Sequence, residues 1–386
     1  MNIPKLRFKD NNGNDYPQWE KKKLGDIVQF LDNKRKPLEQ SERIHGKYPY
    51  YGASGIIDYI NNYIFDEELV LLSEDGANII DRNYPICYIA TGKYWVNNHA
   101  HVLKTKSQYL NKFLCEALER LNYNKYNTGT AQPKLNQDIC KNILLNIPIL
   151  HEQEKIANFF STIDKKIKNL ANTITSLENQ KKGLLQQIFS QKLRFKDKNG
   201  NNYPNWKKKK LGDITTSYSG GTPSVNVKDY YNGAIPFIKS GEIHNSFTET
   251  FITETGLNSS SAKLVKKGDL LFALYGATSG DTSISKINGA INQAILCVRS
   301  TTLNLHYLYQ LLNFYRNKLL SIYLQGGQGN FSATIFKNLI FNFPCLEEQT
   351  KIADFLSAFD RKLDNQKAQL EHWQQIKKGL LQQMFV

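Results

Sequence analysis

His99 and His101 stand one residue apart in a stretch that reads as a strand, so both imidazoles fall on one face. Two imidazoles are half of a zinc site, and a third or fourth ligand is needed to complete it. No such ligand is close in sequence, so the pair reads as packed or surface histidines and no metal is expected. Gly326-Gly327-Gln328-Gly329 is glycine-rich but follows no clear strand, so it reads as a loop and not as a nucleotide-binding turn. The chain holds no Gly-x-x-x-x-Gly-Lys-Ser/Thr phosphate loop and no His-Glu-x-x-His. It also lacks the Pro-Pro-aromatic tetrapeptide of amino-methyltransferases and any carboxylate–lysine cluster of the nuclease kind. Cys87, Cys115, Cys140, Cys297 and Cys345 form no Cys-x-x-Cys pair, and their number is odd. They read as reduced core residues of a cytosolic protein. Together these absences describe a chain that binds and does not catalyse.

What it binds is suggested by charge. Fifty Lys and Arg face 35 Asp and Glu, a formal net charge of +15. Such a balance favours a polyanion, nucleic acid before a membrane surface. At 386 residues, with 40% hydrophobic and 12% aromatic residues, the chain folds and fits two domains. The polar N-terminus has no signal-like apolar region, and no long apolar run follows, so neither export nor a membrane span is expected.

One layout runs through the chain twice. Lys5-Leu6-Arg7-Phe8-Lys9-Asp10 returns as Lys192-Leu193-Arg194-Phe195-Lys196-Asp197. Trp19 and Leu24-Gly25-Asp26-Ile27 return at the same shift as Trp206 and Leu211-Gly212-Asp213-Ile214. At a slightly longer shift, Lys181-Lys182-Gly183-Leu184-Leu185 returns as Lys377-Lys378-Gly379-Leu380-Leu381. The halves share their ends and differ in their middles. A shared frame with two inserts suits a device that reads two things at a fixed separation. Residues 1–20 and 190–206 are polar with Asn-Gly turn signals and read as linkers.

The end of each half carries a heptad seam. Ile156, Phe160, Ile163, Ile167, Leu170, Ile174, Leu177, Lys181, Leu184 and Ile188 alternate spacings of four and three. The second seam runs Ile352, Leu356, Phe359, Leu363, Gln366, Leu370, Trp373, Lys377, Leu380, Met384. Lys181, Gln366 and Lys377 interrupt these seams, and polar seam residues specify register. Each helix of roughly 38 residues would span about 57 Å. A pseudo-twofold relation between the halves requires the helices to run antiparallel, as a rod that sets the distance between the domains.

The middles, about 21–147 and 207–343, mix short apolar runs with turn residues and read as α+β. Val70-Leu71-Leu72 and Leu270-Leu271-Phe272 read as buried strands. Segments near 108–122 and 305–322 read as amphipathic helices. Pro49-Tyr50 with Ser54-Gly55 resembles Pro236-Phe237 with Ser240-Gly241, and Gln132, Leu135 and Ile139 align with Gln328, Phe331 and Ile335. Residues that read different sequences must lie where the halves differ, because shared residues can only build the fold or hold phosphates. The candidate readers are therefore Asn33, Lys34, Arg35, Lys36, Lys93 and Tyr94 in the first half. In the second they are Thr222, Ser224, Asn226, Lys228, Lys239 and Tyr275. Arg, Lys and Asn match purine edges in the major groove. The shared Gln132 and Gln328, with Gly129, Thr130 and Lys134, suit backbone contact or loop structure.

Five motifs carry a family resemblance. They are Tyr50-Tyr51-Gly52-Ala53-Ser54-Gly55, Asn98-His99-Ala100-His101-Val102-Leu103, Ser219-Gly220-Gly221-Thr222-Pro223, Ile291-Asn292-Gln293-Ala294, and the Pro-x-Leu-x-Glu-Gln-x-Lys-Ile-Ala helix starts at Pro148 and Pro344. With the duplication, the chain resembles the DNA-specificity (S) subunit of Type I restriction–modification systems over nearly its whole length. The resemblance implies an α+β fold of two similar α/β target-recognition domains separated by two long helices, paired as an antiparallel coiled coil with a pseudo-twofold repeat. The expected layout is a first recognition domain over 1–150, a central helix over 151–189, a second domain over 190–346 and a C-terminal helix over 347–386. It further implies that each domain reads one half of a split, asymmetric double-stranded DNA target. Two modification subunits, which bind S-adenosylmethionine and methylate adenine, would dock on the chain, and two motor–nuclease subunits join them in some complexes. The chain itself would be non-catalytic, without a cofactor of its own, and cytoplasmic. A DNA-binding regulator without an enzyme is the alternative reading, and co-purification with a methyltransferase separates the two.

Overall fold

The computed structural model describes residues 4–107, 109–129, 132–323 and 330–385. Thr130 and the Gly326–Gly329 loop, with Gln328, lie outside them. The chain forms two compact units. The first is Met1–Asn172 with Ala368–Val386, and the second is Thr173–Lys367. Each unit thus takes part of both long helices.

In the first unit the strands are β1 (Glu20–Lys23), β2 (Val28–Phe30), β3 (His45–Gly52), β4 (Gly55–Ile60), β5 (Phe65–Asp66), β6 (Leu69–Ser73), β7 (Cys87–Ala90), β8 (Lys93–Val96), β9 (Ala100–Thr105) and β10 (Leu144–Ile147). They make an antiparallel sheet β2-β9-β6-β7, a second sheet β4-β3-β8-β5 and a ribbon β1-β10. In the second sheet β3 and β8 are parallel, so their C-terminal ends lie together.

The second unit repeats this order. Its strands are β11 (Lys207–Lys210), β12 (Thr216–Ser219), β13 (Tyr231–Ile238), β14 (Phe251–Ile252), β15 (Lys263–Val265), β16 (Leu270–Ala273), β17 (Thr282–Ile284), β18 (Gly289–Ile291), β19 (Ile295–Arg299) and β20 (Ile340–Phe343). They form β12-β19-β16-β17, β14-β13-β18-β15 and β11-β20, with β13 and β18 parallel. The apolar runs expected as strands are β6 and β16, and every residue of both is buried. A strand covered on both faces reads as continuous apolar sequence, as these do. The helices Asn111–Arg120 and Leu305–Tyr323 pack their apolar stripes onto the sheets.

One sequence correspondence fails in conformation. In the first unit Ala53-Ser54 turns the β3–β4 hairpin and Gly55 opens β4 at φ +103°. Ser240-Gly241 instead opens a 3-10 turn, Ser240–Glu242. The longer insert that follows lets the chain reach β14 without a tight hairpin.

The terminal segments are also more than linkers. Arg7 clamps the buried Glu152 carboxylate through Nε at 3.0 Å and Nη2 at 2.6 Å, and Trp19 Nε1 donates to the same group at 3.0 Å. Arg194 and Trp206 hold Glu348 in the same way, at 3.1, 2.7 and 3.1 Å. The neighbouring Gln153 and Gln349 each accept from a backbone N–H, of Leu110 and Asn304, and donate to Pro148 and Pro344. The duplicated Arg, Trp and Glu-Gln residues are therefore one interlocked joint between the first segment of a half and the start of its long helix.

Those helices are Leu150–Phe189, 40 residues, and Leu346–Met384, 39 residues. Within the first unit, Asp164 faces Lys377 and Phe160 lies 6.0 Å from Phe385, so one helix descends as the other rises. In the second unit Lys181 pairs with Asp360 and Glu178 with Lys367, again antiparallel. Ile156, Phe160, Ile163, Leu170, Ile174, Leu177 and Ile188 are buried along the first seam, and Ile352, Leu356, Leu363 and Met384 along the second.

Candidate nucleic-acid interface

In each unit one end of the strands gathers most of the candidate readers. In the first, the loop after β2 runs past the turn between β8 and β9. Trp95 Nε1 donates to the Lys36 carbonyl at 2.6 Å, and the Lys36 N–H donates to the Val96 carbonyl at 3.2 Å. This pins the loop beside the Asn97–His99 turn and leaves Asn33, Lys34 and Lys36 exposed, with Asn98 and His99 next to them. Arg35 is committed inward. Its guanidinium donates to Glu74 at 2.6 Å, to the Ala100 carbonyl at 2.8 Å and to the Asp32 carbonyl at 3.2 Å. It builds the loop and has little left to offer a base.

The second unit uses the equivalent loop and turn. Thr222 Oγ1 donates to Gln293 Oε1 at 2.6 Å, tying the loop after β12 to the turn between β18 and β19. The two glycines before it are dictated by space. A Cβ on Gly220 would sit 1.8 Å from the Ile291 carbonyl oxygen, and one on Gly221 would sit 2.6 Å from Ser261 Cβ. The chain therefore passes hard against β18 before Thr222, Ser224, Asn226 and Lys228 emerge, all exposed. Lys239 follows β13, and Tyr275 follows the Leu274 N–H that donates to Ala294. Both therefore reach this same end. Gln293 was not among the expected readers, although its motif was visible in sequence.

Two candidates lie elsewhere. Tyr94 is fully buried, its ring stacked 5.5 Å from Phe65. Lys93 begins β8, about 10 Å of strand from the turn, with its Nζ 4.6 Å over the Tyr63 ring and 3.8 Å from Asp66.

The two histidines part company. His99 is exposed and contacts Asp75 at 2.8 Å. His101 is buried, with Nδ1 2.7 Å from Asp32 and Nε2 2.7 Å from the Leu135 carbonyl. Asp32, Glu74 and His101 converge as a metal site would require, supplying from distant sequence the ligands missing nearby. The three groups are held by ion pairs among themselves and with Arg35. A carbonyl accepts only from N–H, so Nε2 carries a proton, and Nδ1 against a carboxylate carries another. Burial opposes that charge, but the hydrogen bond to Asp32 outweighs it and pushes the His101 pKa up to about 10. Burial likewise opposes ionisation of Asp32, yet the His101 hydrogen bond holds its carboxyl below the ordinary value. The imidazolium and the Arg35 guanidinium neutralise the two carboxylates and brace the loop. In the second unit the strand position of His101, opposite Leu72, is taken by the buried Leu296, opposite Phe272, so this brace belongs to one half.

The model of the Type I restriction modification DNA specificity domain matches the chain twice, over residues 16–179 and 203–372. The chain belongs to this specificity family. The MjaVIII type I restriction enzyme specificity subunit of Methanocaldococcus jannaschii is 24% identical, over 97% of this chain and 94% of its own length. A putative type I specificity subunit of Haemophilus influenzae is 36% identical over 144 residues, which span only 37% of either chain. The crystal structure of the S subunit from M. genitalium matches 100% of this chain and 99% of its own, with a TM-score of 0.71 at 16% identity, a likeness of fold. Among the described residues, no helix is long and apolar enough to cross a membrane.

Proposed function

We propose that this specificity subunit reads a split, asymmetric double-stranded DNA target, one half by each unit. The observation that carries this is the loop-and-turn end of each unit. The scaffold is the same in both, but the exposed polar residues differ: Asn33, Lys34 and Lys36 in one, Thr222, Ser224, Asn226 and Lys228 in the other. Conserved scaffold with variable edge groups is what sequence readout asks for, since base edges differ and phosphates do not. The +15 charge suits the phosphates. The chain acts without chemistry or a cofactor of its own. Two methyltransferase subunits carry S-adenosylmethionine and methylate the DNA that the chain selects, and motor–nuclease subunits join where the system restricts.

Purification after co-expression with the methyltransferase subunit, followed by titration with duplex DNA, tests this. The complex should hold both proteins, and affinity should fall at least tenfold between about 50 and 200 mM salt. A chain that purifies alone and binds DNA without salt dependence would refute the proposal.

A further inference from the structure

Each unit also carries a cavity away from its reading end, and the two cavities match. In the second unit it holds about 280 Å³, between β20 and the helix Leu305–Tyr323, on a floor of Trp206, Phe189, Leu311, Tyr315 and Phe341. In the first it holds about 190 Å³, between β10 and the helix Asn111–Arg120, on Trp19, Phe385, Ala117, Leu121 and Leu145. Trp19 and Trp206 are repeat equivalents, as are Phe385 and Phe189, and Leu145 and Phe341. At the mouth stand Leu144 and Ile340, equivalent again and 52% and 59% exposed. Each is paired across its ribbon with a lysine, Lys23 and Lys210 respectively. Arg120 lines the first cavity, and Lys208 and Lys318 the second, with no carboxylate among the described residues that line either.

These features define the occupant. An apolar aromatic floor does not hold phosphate. Both volumes fall below the roughly 300–1,000 Å³ of small-molecule sites, but they suit a single inserted side chain. The cationic rim selects acidic neighbours for that side chain. Duplication sets the number: features that differ between the units can follow the DNA sequence, whereas this shared one serves a ligand present twice. We propose that each cavity receives one apolar anchor, leucine or aromatic, from an acidic segment of a methyltransferase subunit, one subunit per unit. The inference rests on the function proposed above and adds the docking point.

Leu144→Asp and Ile340→Asp place a carboxylate at each mouth without touching the core. Native mass spectrometry of the co-expressed complex then counts methyltransferase subunits per chain. The unaltered chain should carry two, either single variant one and the double variant none, with DNA affinity of the chain alone unchanged. If a variant melts earlier than the parent, Arg120→Glu with Lys318→Glu decides, because it alters only the rim. That pair should weaken subunit binding at least fivefold. Two subunits retained at unchanged affinity in both sets would overturn the docking point and leave the proposed function standing. An unaltered chain that captures no methyltransferase subunit would overturn both.

Discussion

The Lys377 ammonium lies 2.9 Å from Asp164 Oδ1 and 3.0 Å from Glu116 Oε1, where the end of the C-terminal helix meets the start of the central one. Its repeat equivalent, Lys181, pairs with Asp360, which also accepts from Gln310 Nε2 at 2.6 Å. The two lysines that interrupt the heptad seams are thus the polar marks of antiparallel register. Each finds its carboxylate only when the end of one helix lies beside the start of the other.

The two marks differ in weight. Lys377→Met leaves the buried Glu116 and the part-exposed Asp164 to Lys112 alone. Breaking a fully buried pair costs about 3–5 kcal/mol, which solvent access to Asp164 reduces here to about 2 kcal/mol. Lys181→Met leaves Asp360 the Gln310 amide and should cost about 1 kcal/mol. Urea unfolding midpoints measure both, and a larger loss for Lys181→Met would contradict the ranking. Burial opposes ionisation of Asp164, but hydrogen bonds from Lys112 and Lys377 hold its carboxyl below the ordinary range. That contribution is present above the normal carboxylate pKa and lost as pH falls through the lowered one. Lys377→Met should therefore show a shallower acid loss of stability than the parent.

His101 gives the opposite slope. Its pKa rises from 6.5 to about 10 on folding, so its stabilisation is complete below about pH 6.5 and disappears as pH climbs through about 10. The stability difference between the parent and His101→Gln should shrink steadily from pH 7 to pH 10.5 in denaturant titrations. A constant difference would mean that His101 is neutral in the folded protein.

The joint at Glu152 should be costly to break. Glu152→Ala strands the Arg7 guanidinium and the Trp19 N–H, and about 3 kcal/mol is expected. Glu348→Ala should cost a similar amount through Arg194 and Trp206. Calorimetry of the two variants checks the equivalence. An effect under about 1 kcal/mol at either site would show that the joint is ornamental.

Much of this was legible in sequence because it is periodic or repeated. The four-three spacing gave both long helices, and the constant shifts gave two units of one topology. What stayed hidden depended on contacts between distant positions. Nothing in the local sequence says that Arg35 turns inward, because its partners Glu74 and Ala100 arrive from other strands. The halves differ at Tyr94, which marks it as a candidate reader, but β8 lies between β3 and β5 and buries it. The polar segments around Arg7 and Arg194 read as linkers because the carboxylates they clamp lie far along the chain.

The central claim is that each unit reads its own half of the target. Replacing residues 21–147 with the matching domain of another family member, then sequencing methylated bases in cells that carry the complete modification enzyme, tests it most directly. One half-site should change, while the other half-site and the spacing stay as they were. A change in both half-sites, or in neither, would contradict the account.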